Sequence, residues 1–445
     1  MKGHSHPDDH IKIEAMKIRN KIYKDAKVHR SSNPYQLVSD SLKDVPLQIR
    51  IAVGKPASLR RRICAIRRAD LPPEPQTMED IHLTRHYRIL EITTAPKNFL
   101  IYDNMHFQEE YTPGTRLLVF ATKESLSVMS SCDQWFVDGT FGTAPKHFKQ
   151  LFTIRVKLSN CSITCVYALL PNKKQETYEE FFTSVFTICH SYDLRPNVTT
   201  VSCDYEKAIH KAVISTFGNY IHIQGCFYHL TQSTWRKVQG EGLASDYKDN
   251  EENKLFCGMI DGTAFLPVEK VKEGIAYLYT IVPKGFFNII DYFDRCYVSG
   301  NYQSTAGPRF LSFRRNNRPL YPIELWNVHE TTLEGGSRTN NISESFNASI
   351  LRLVGHKNPS LWKILECIQK DHINNLTNIE RIKQGIPIVP RISRKTSQTQ
   401  KRLETLCKNL KNGILTVPRF LKSVGHVIRF HIPRNVNEDD DVLDI

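Results

Sequence analysis

Long apolar runs are missing from this sequence. No stretch of about 18 uncharged apolar residues occurs in its 445 residues, so no membrane-spanning helix is expected. The opening residues, MKGHSHPDDH, carry no apolar core, so no secretory leader is expected either. The eleven cysteines include no C-x-x-C pair and no even framework. That scatter argues against structural disulfides and predicts free thiols in a reducing compartment. Internal repeats and long low-complexity tracts are also lacking.

Acidic residues are scarce relative to basic ones. Lys and Arg number 60 against 46 Asp and Glu, a net charge of +14. With 40% hydrophobic and 24% charged residues, the chain reads as soluble and globular, with two or three units. The excess of positive charge suggests a polyanionic partner. Its distribution says more. Residues 1–70 hold about 16 basic and 7 acidic residues, and residues 390–430 about 10 and 1. The middle is close to neutral. Basic flanks around a neutral body suggest arms that grip nucleic acid.

The patterning predicts helices over 7–30, 35–42, 46–53 and 57–69, the last placing Arg60, Arg61, Arg67 and Arg68 around Leu59, Ile63 and Ile66. LPPEP at 71–75 ends this basic unit. Strand-like NFLIYD (98–103) and RLLVFAT (116–122) follow, then a short helix at 123–131. From 132 the order is strand, strand, strand, helix, strand, helix, strand, helix, which mixes an antiparallel start with parallel crossovers. Residues 240–335 lose the alternation and read as a mostly helical insertion. A clear helix returns at 341–354, with further helices at 360–383 and 396–412.

Three carboxylates stand out by position. Asp138 ends the first strand in FVDGTF, Asp204 ends the fourth in VSCDYEKA, and Glu344 lies in the first turn of NNISESFN. Each has a plain structural explanation: an Asp-Gly turn, a helix N-cap, and a capping box with Asn341. Together they suit another task. Carboxylates at the ends of neighbouring strands, with one from a crossing helix, can hold two Mg²⁺ ions for an in-line phosphodiester displacement. Asn341, Glu344 and Asn347 recur at i, i+3 and i+6, one polar stripe along that helix.

These strings carry a resemblance. DQWFVDGTF, LFTIRVK with YALLPNKKQETYEEFF, VSCDYEKAI, GCFYHL and SRTNNISESFN, spread over about 132–358, resemble the Mutator-like element (MULE) transposases. The resemblance implies an α/β, RNase H-like DDE catalytic core with a helical insertion, flanked by basic helical N- and C-terminal regions. It implies Asp138, Asp204 and Glu344 as the catalytic and metal-binding triad, with two Mg²⁺ or Mn²⁺ ions and DNA as substrate and target. Cys226 and His229 match the family's C-x-x-H signature. Two ligands are half of a structural zinc site, so zinc is not assigned.

Near the start, His4-Ser5-His6-Pro7-Asp8 resembles the end of the FLYWCH-type zinc finger of animal members, with most of the finger missing. Further residues expected near the active site or DNA are Asn340, Asn341, Asn347, Lys146, Arg60, Arg61 and Arg67. The implied partition is a basic helical region at 1–75, a mixed α/β lead-in at 76–130, the core at 131–240, the insertion at 241–335, the last core helix at 336–358, a basic helical region at 359–436, and an acidic tail at 437–445. Nuclear location and a homo-oligomer on DNA follow as expectations. The alternative is a domesticated or degenerate relative that binds DNA without cutting it.

Overall fold

The computed structural model describes residues 10–29, 32–69, 71–92, 95–107, 111–159, 161–300, 302–304, 313–316, 318–336, 341–388 and 394–431. At 302–304, 313–316, 341, 342, 344, 395, 430 and 431 it describes backbone alone. The finger-like segment at 4–8, Asn340 and the acidic tail lie outside these residues.

A mixed seven-stranded sheet forms the centre. Its strands are β1 (Leu100–Asp103), β2 (Leu118–Phe120), β3 (Gln134–Thr140), β4 (Gln150–Leu158), β5 (Cys161–Leu170), β6 (Thr200–Cys203) and β7 (His222–Gly225). Their spatial order is β1-β2-β5-β4-β3-β6-β7. Neighbours from β1 to β3 run antiparallel, and β3, β6 and β7 run parallel. The antiparallel start and the parallel end both follow from connection length. β4 and β5 are joined by a tight turn, whereas β6 and β7 are reached through helices. The two strands at 100–103 and 118–120 extend this same sheet.

Both faces of the sheet are covered. On one face, α5 (Lys123–Ser130), α6 (Gln175–Ser191) and α7 (Lys207–Phe217) share a core with Trp135, Val137, Phe152, Ile154 and Val201. In α6, Tyr178, Phe181, Phe182, Val185 and Cys189 share the buried stripe, the spacing of an amphipathic helix. Each buried phenylalanine there contributes about 1.5–3 kcal/mol. On the other face lie α11 (Asn341–Val354) and α12 (Leu361–Lys383), which bury Phe346, Ile350, Leu365 and Ile368 against Leu151, Tyr167 and Leu169.

Two further cores complete the chain. Helices α1 (His10–Val28), α2 (Pro34–Leu42), α3 (Leu47–Val53) and α4 (Pro56–Ala69) bury Ala15, Ile22, Ala26, Val38, Val53, Leu59 and Ile63 among themselves. A helical core is built from α8 (Phe227–Gly240), which precedes residues 241–335, together with α9 (Glu251–Gly262) and α10 (Val271–Thr280). The C-terminal helices α13 (Arg394–Lys411) and α14 (Val417–His426) pack into this core through Leu403, Cys407, Phe420 and Val424. Buried Arg429 pairs with buried Asp261, which also accepts from Thr234 Oγ1 at 2.7 Å. The region after 359 is therefore divided between the sheet and the insertion. The eleven cysteines form no disulfide. Among the described residues no helix is long and apolar enough to cross a membrane.

Candidate active site

Strand alternation places the first carboxylate. Val137 of β3 enters the core under α6, so its neighbour Asp138 emerges on the opposite face, toward α11. Gly139 is fixed by close approach, since a Cβ there would fall 1.9 Å from Gln150 Oε1. Its backbone N–H donates to Asp138 Oδ1 at 2.9 Å.

The second carboxylate follows from register. Parallel pairing matches Gln134 with Thr200, Trp135 with Val201 and Phe136 with Ser202. Carried two residues further, the same register sets Asp138 level with Asp204. The two charges feel each other. Burial, and then the Asp204 carboxylate, push the Asp138 pKa up to about 7, against the preference of a solvated carboxyl for the charged form. Asp204 Oδ1 is shielded from solvent, with His229 Nδ1 2.6 Å away. The backbone carbonyl of Asp204 accepts from His210 Nε2 at 2.7 Å.

Helix α11 supplies the roof. Its side-chain amide at Asn347 donates from Nδ2 to Asp138 Oδ2 at 2.9 Å. Glu344 lies on the same helix, one turn toward its N-terminus. The side chains of Glu344 and Asn341 are outside the description. The helix is pinned to the sheet by Phe346, whose ring sits under the Arg155 guanidinium at 4.7 Å. Arg155 is buried, and burial lowers its pKa to about 10. It stays charged at neutral pH and donates from Nη2 to Ser162 Oγ at 2.7 Å.

Cys226 and His229 open α8 beside Asp204. Cys226 is buried at the N-cap position, and His229 reaches Asp204. Burial is the largest single influence and opposes a charged imidazole, but Asp204 and Cys226 together outweigh it and hold the His229 pKa well above its ordinary value. The pair is an imidazolium–carboxylate contact on one of the two acids.

A second polar group flanks the carboxylates. Lys173 Nζ lies 3.3 Å from Glu206 Oε2 and 4.0 Å from the centre of the Phe141 ring. Tyr178 donates to Glu206 at 2.9 Å and accepts from Gln150 Nε2 at 2.7 Å. The sequence strings PNKK and DYEKA contained Lys173 and Glu206, but nothing in their spacing singled them out.

The remaining expected residues sit elsewhere. Lys146 is exposed on the turn after β3, and neighbouring His147 is tied to the Pro75 carbonyl at 2.8 Å. Arg60 and Arg61 are on α4. The Arg67 guanidinium donates to the backbone carbonyls of Ala26, Ser32 and His29 at 3.1, 2.8 and 2.7 Å, which braces α4.

The donor set suits a hard divalent cation. Asp138 and Asp204 offer carboxylate oxygens of the kind Mg²⁺ and Mn²⁺ prefer. Among the described residues, which exclude the Glu344 side chain, no three His, Cys, Asp or Glu side chains gather as a metal group.

Residues 134–233, from β3 into α8, match the family model described as MULE transposase domain. The match covers Asp138, Asp204, Cys226 and His229. No curated protein and no solved structure matches the chain.

Proposed function

We propose that this chain is a MULE-type DDE transposase with an RNase H-like core, cutting DNA at element ends and joining the freed 3′-hydroxyl to target DNA. One observation carries the reading: Asp138 and Asp204 stand level at the carboxyl ends of adjacent parallel strands, and α11 crosses above them bonded to Asp138 through Asn347. The antiparallel β3–β4–β5 start followed by parallel β6 and β7 supports the RNase H-like assignment.

Asp138, Asp204 and Glu344 would hold the divalent ions. Bound there, Mg²⁺ or Mn²⁺ supplies nucleophile activation and charge stabilisation for phosphodiester displacement. The chain does the rest. Asn347 and the Gly139 N–H orient Asp138 by occupying one of its oxygens each. His229 steadies Asp204 and limits the repulsion between the two acids. Arg155 holds α11 on the sheet through Phe346 and so keeps the position of Glu344 relative to the strands. Lys173, partly exposed at the edge of the site, offers a cation for a DNA phosphate.

The partners in this reading are transposon ends and target DNA, with assembly of two or more chains on DNA and a nuclear location. Supercoiled plasmid nicking in Mg²⁺ or Mn²⁺, compared between the wild type and Asp204→Asn, tests it. Nicking that is lost in the variant upholds it, and equal nicking by both overturns it. A DNA-binding relative without catalysis is the second reading. The basic helical flanks favour it, and a mobility shift without nicking would select it.

A further inference from the structure

The α1–α4 unit takes no part in the chemistry proposed above, yet its surface is built for a ligand. Helix α4 has five arginines and no carboxylate in fourteen residues. Leu59 and Ile63 are turned into the core of the unit. Outward, Ala57, Ser58, Ala65 and Ala69 are small and exposed, and Arg61, Arg62 and Arg68 stand exposed among them. An open cleft beside the helix is lined by Asn33, Tyr35, Arg60, Arg61 and Arg68. Arg60 lies over the Tyr35 ring at 5.4 Å.

The helix is also held rigidly. Arg67 braces it to the carbonyls at the end of α1. From α1, Arg19 donates to the Val53 and Ala52 carbonyls at the end of α3, at 2.7 and 2.5 Å. Gly54 then turns the chain into α4 with φ +101°, a conformation that suits glycine. The two arginines fix the corner from which α4 projects.

We propose that α4 is a duplex-DNA-binding helix that lies in the major groove, with Arg61, Arg62 and Arg68 on phosphates and base edges. The proposal rests on the reading of this chain as a DNA-processing protein and names where it grips duplex. The groove, about 12 Å wide, admits one helix. A face of small residues lets the backbone sit close, and arginines spaced along it reach both phosphate walls. A lipid surface would need large apolar residues on the outward face of α4, and single-stranded DNA would need several exposed aromatic platforms. The cleft offers Tyr35 alone.

The test is fluorescence anisotropy of the full chain, carrying Asp204→Asn so that DNA is not cut, with a 30-base-pair duplex and a single strand of equal length. Arg61→Ala/Arg68→Ala is compared with Lys21→Ala/Lys24→Ala, an equal charge loss at exposed positions of α1. All four positions are exposed, and thermal melting checks that each variant folds. The α4 pair is expected to weaken duplex binding by about tenfold or more and to reduce the salt slope by about 2, while the α1 pair changes binding less than about twofold. Equal losses in both pairs, no loss in the α4 pair, or a preference for single strand would overturn the proposal. Absence of any DNA binding would overturn it together with the DNA-processing reading. A chain that binds through α4 but, with Asp204 restored, does not nick would uphold it and overturn the catalytic reading alone.

Discussion

Asn347 donates its side-chain amide to Asp138 at 2.9 Å across 209 positions of chain. That bond ties the roof helix α11 to β3. It fixes the acid on the sheet relative to the helix that carries Glu344. A hydrogen bond to a charged group contributes about 1.5–3 kcal/mol. Removing it in Asn347→Ala should therefore slow metal-dependent nicking by roughly 10- to 100-fold. Duplex affinity, measured by anisotropy, should stay within about twofold, because the arginines of α4 are elsewhere.

Asp138 and Asp204 repel each other inside a partly closed site. A divalent cation should relieve that repulsion and stabilise the fold. At about 100 times its dissociation constant a ligand adds about 2.7 kcal/mol. Millimolar Mg²⁺ or Mn²⁺ should raise the melting temperature of the wild type by about 2 °C or more. The shift should vanish in Asp138→Asn. Calorimetry with and without the cation checks this, and an equal shift in both proteins would contradict it.

His372 gives the fold an acid-sensitive point. It is buried between Phe99, Tyr167 and Thr122. Burial lowers its pKa from 6.5 to about 3. The folded chain keeps the imidazole neutral, whereas the unfolded chain takes up a proton below about 6.5. The stability tied to this neutral ring is complete above pH 6.5 and is lost as pH falls toward 3. Between pH 7.5 and 5.5 the wild type should lose more melting temperature than His372→Leu. Parallel losses would contradict the assignment.

The C-terminal helices hold the insertion together at a glycine contact. A Cβ on Gly258 would come within 2.7 Å of the Gly425 carbonyl and 2.6 Å of Arg429 Cγ. Gly258→Ala should destabilise by about 1–3 kcal/mol, the range of overpacked cores. Gly240, at the end of α8, meets nothing within 4 Å. Gly240→Ala should be neutral or slightly stabilising. Denaturant melts of the two variants decide the point.

Some of this was legible in the sequence, for identifiable reasons. Asp138 and Asp204 stood out because each closes a short apolar strand, and the parallel register then aligns them. Of the stripe through Asn341, Glu344 and Asn347, Asn347 is described and faces Asp138. The bracing role of Arg67 was not legible, because its carbonyl partners lie 35–41 residues away. Helix α14 escaped because Pro418 and Gly425 interrupt its ten residues. Pro418 is a helix-start residue, and Gly425 serves the contact with Gly258. Arg155 gave no signal, since β4 is buried almost continuously on both faces and its sequence does not say what an arginine there would meet. Its role depends on Phe346, which only the fold brings near.

The most direct measurement is plasmid nicking by the full chain in Mg²⁺ or Mn²⁺, run beside Asp204→Asn and a metal-free control. We expect open-circle product with the wild type and metal, and none in either control. Nicking that persists in Asp204→Asn, or that needs no divalent ion, would contradict the assignment of the paired carboxylates as the catalytic centre.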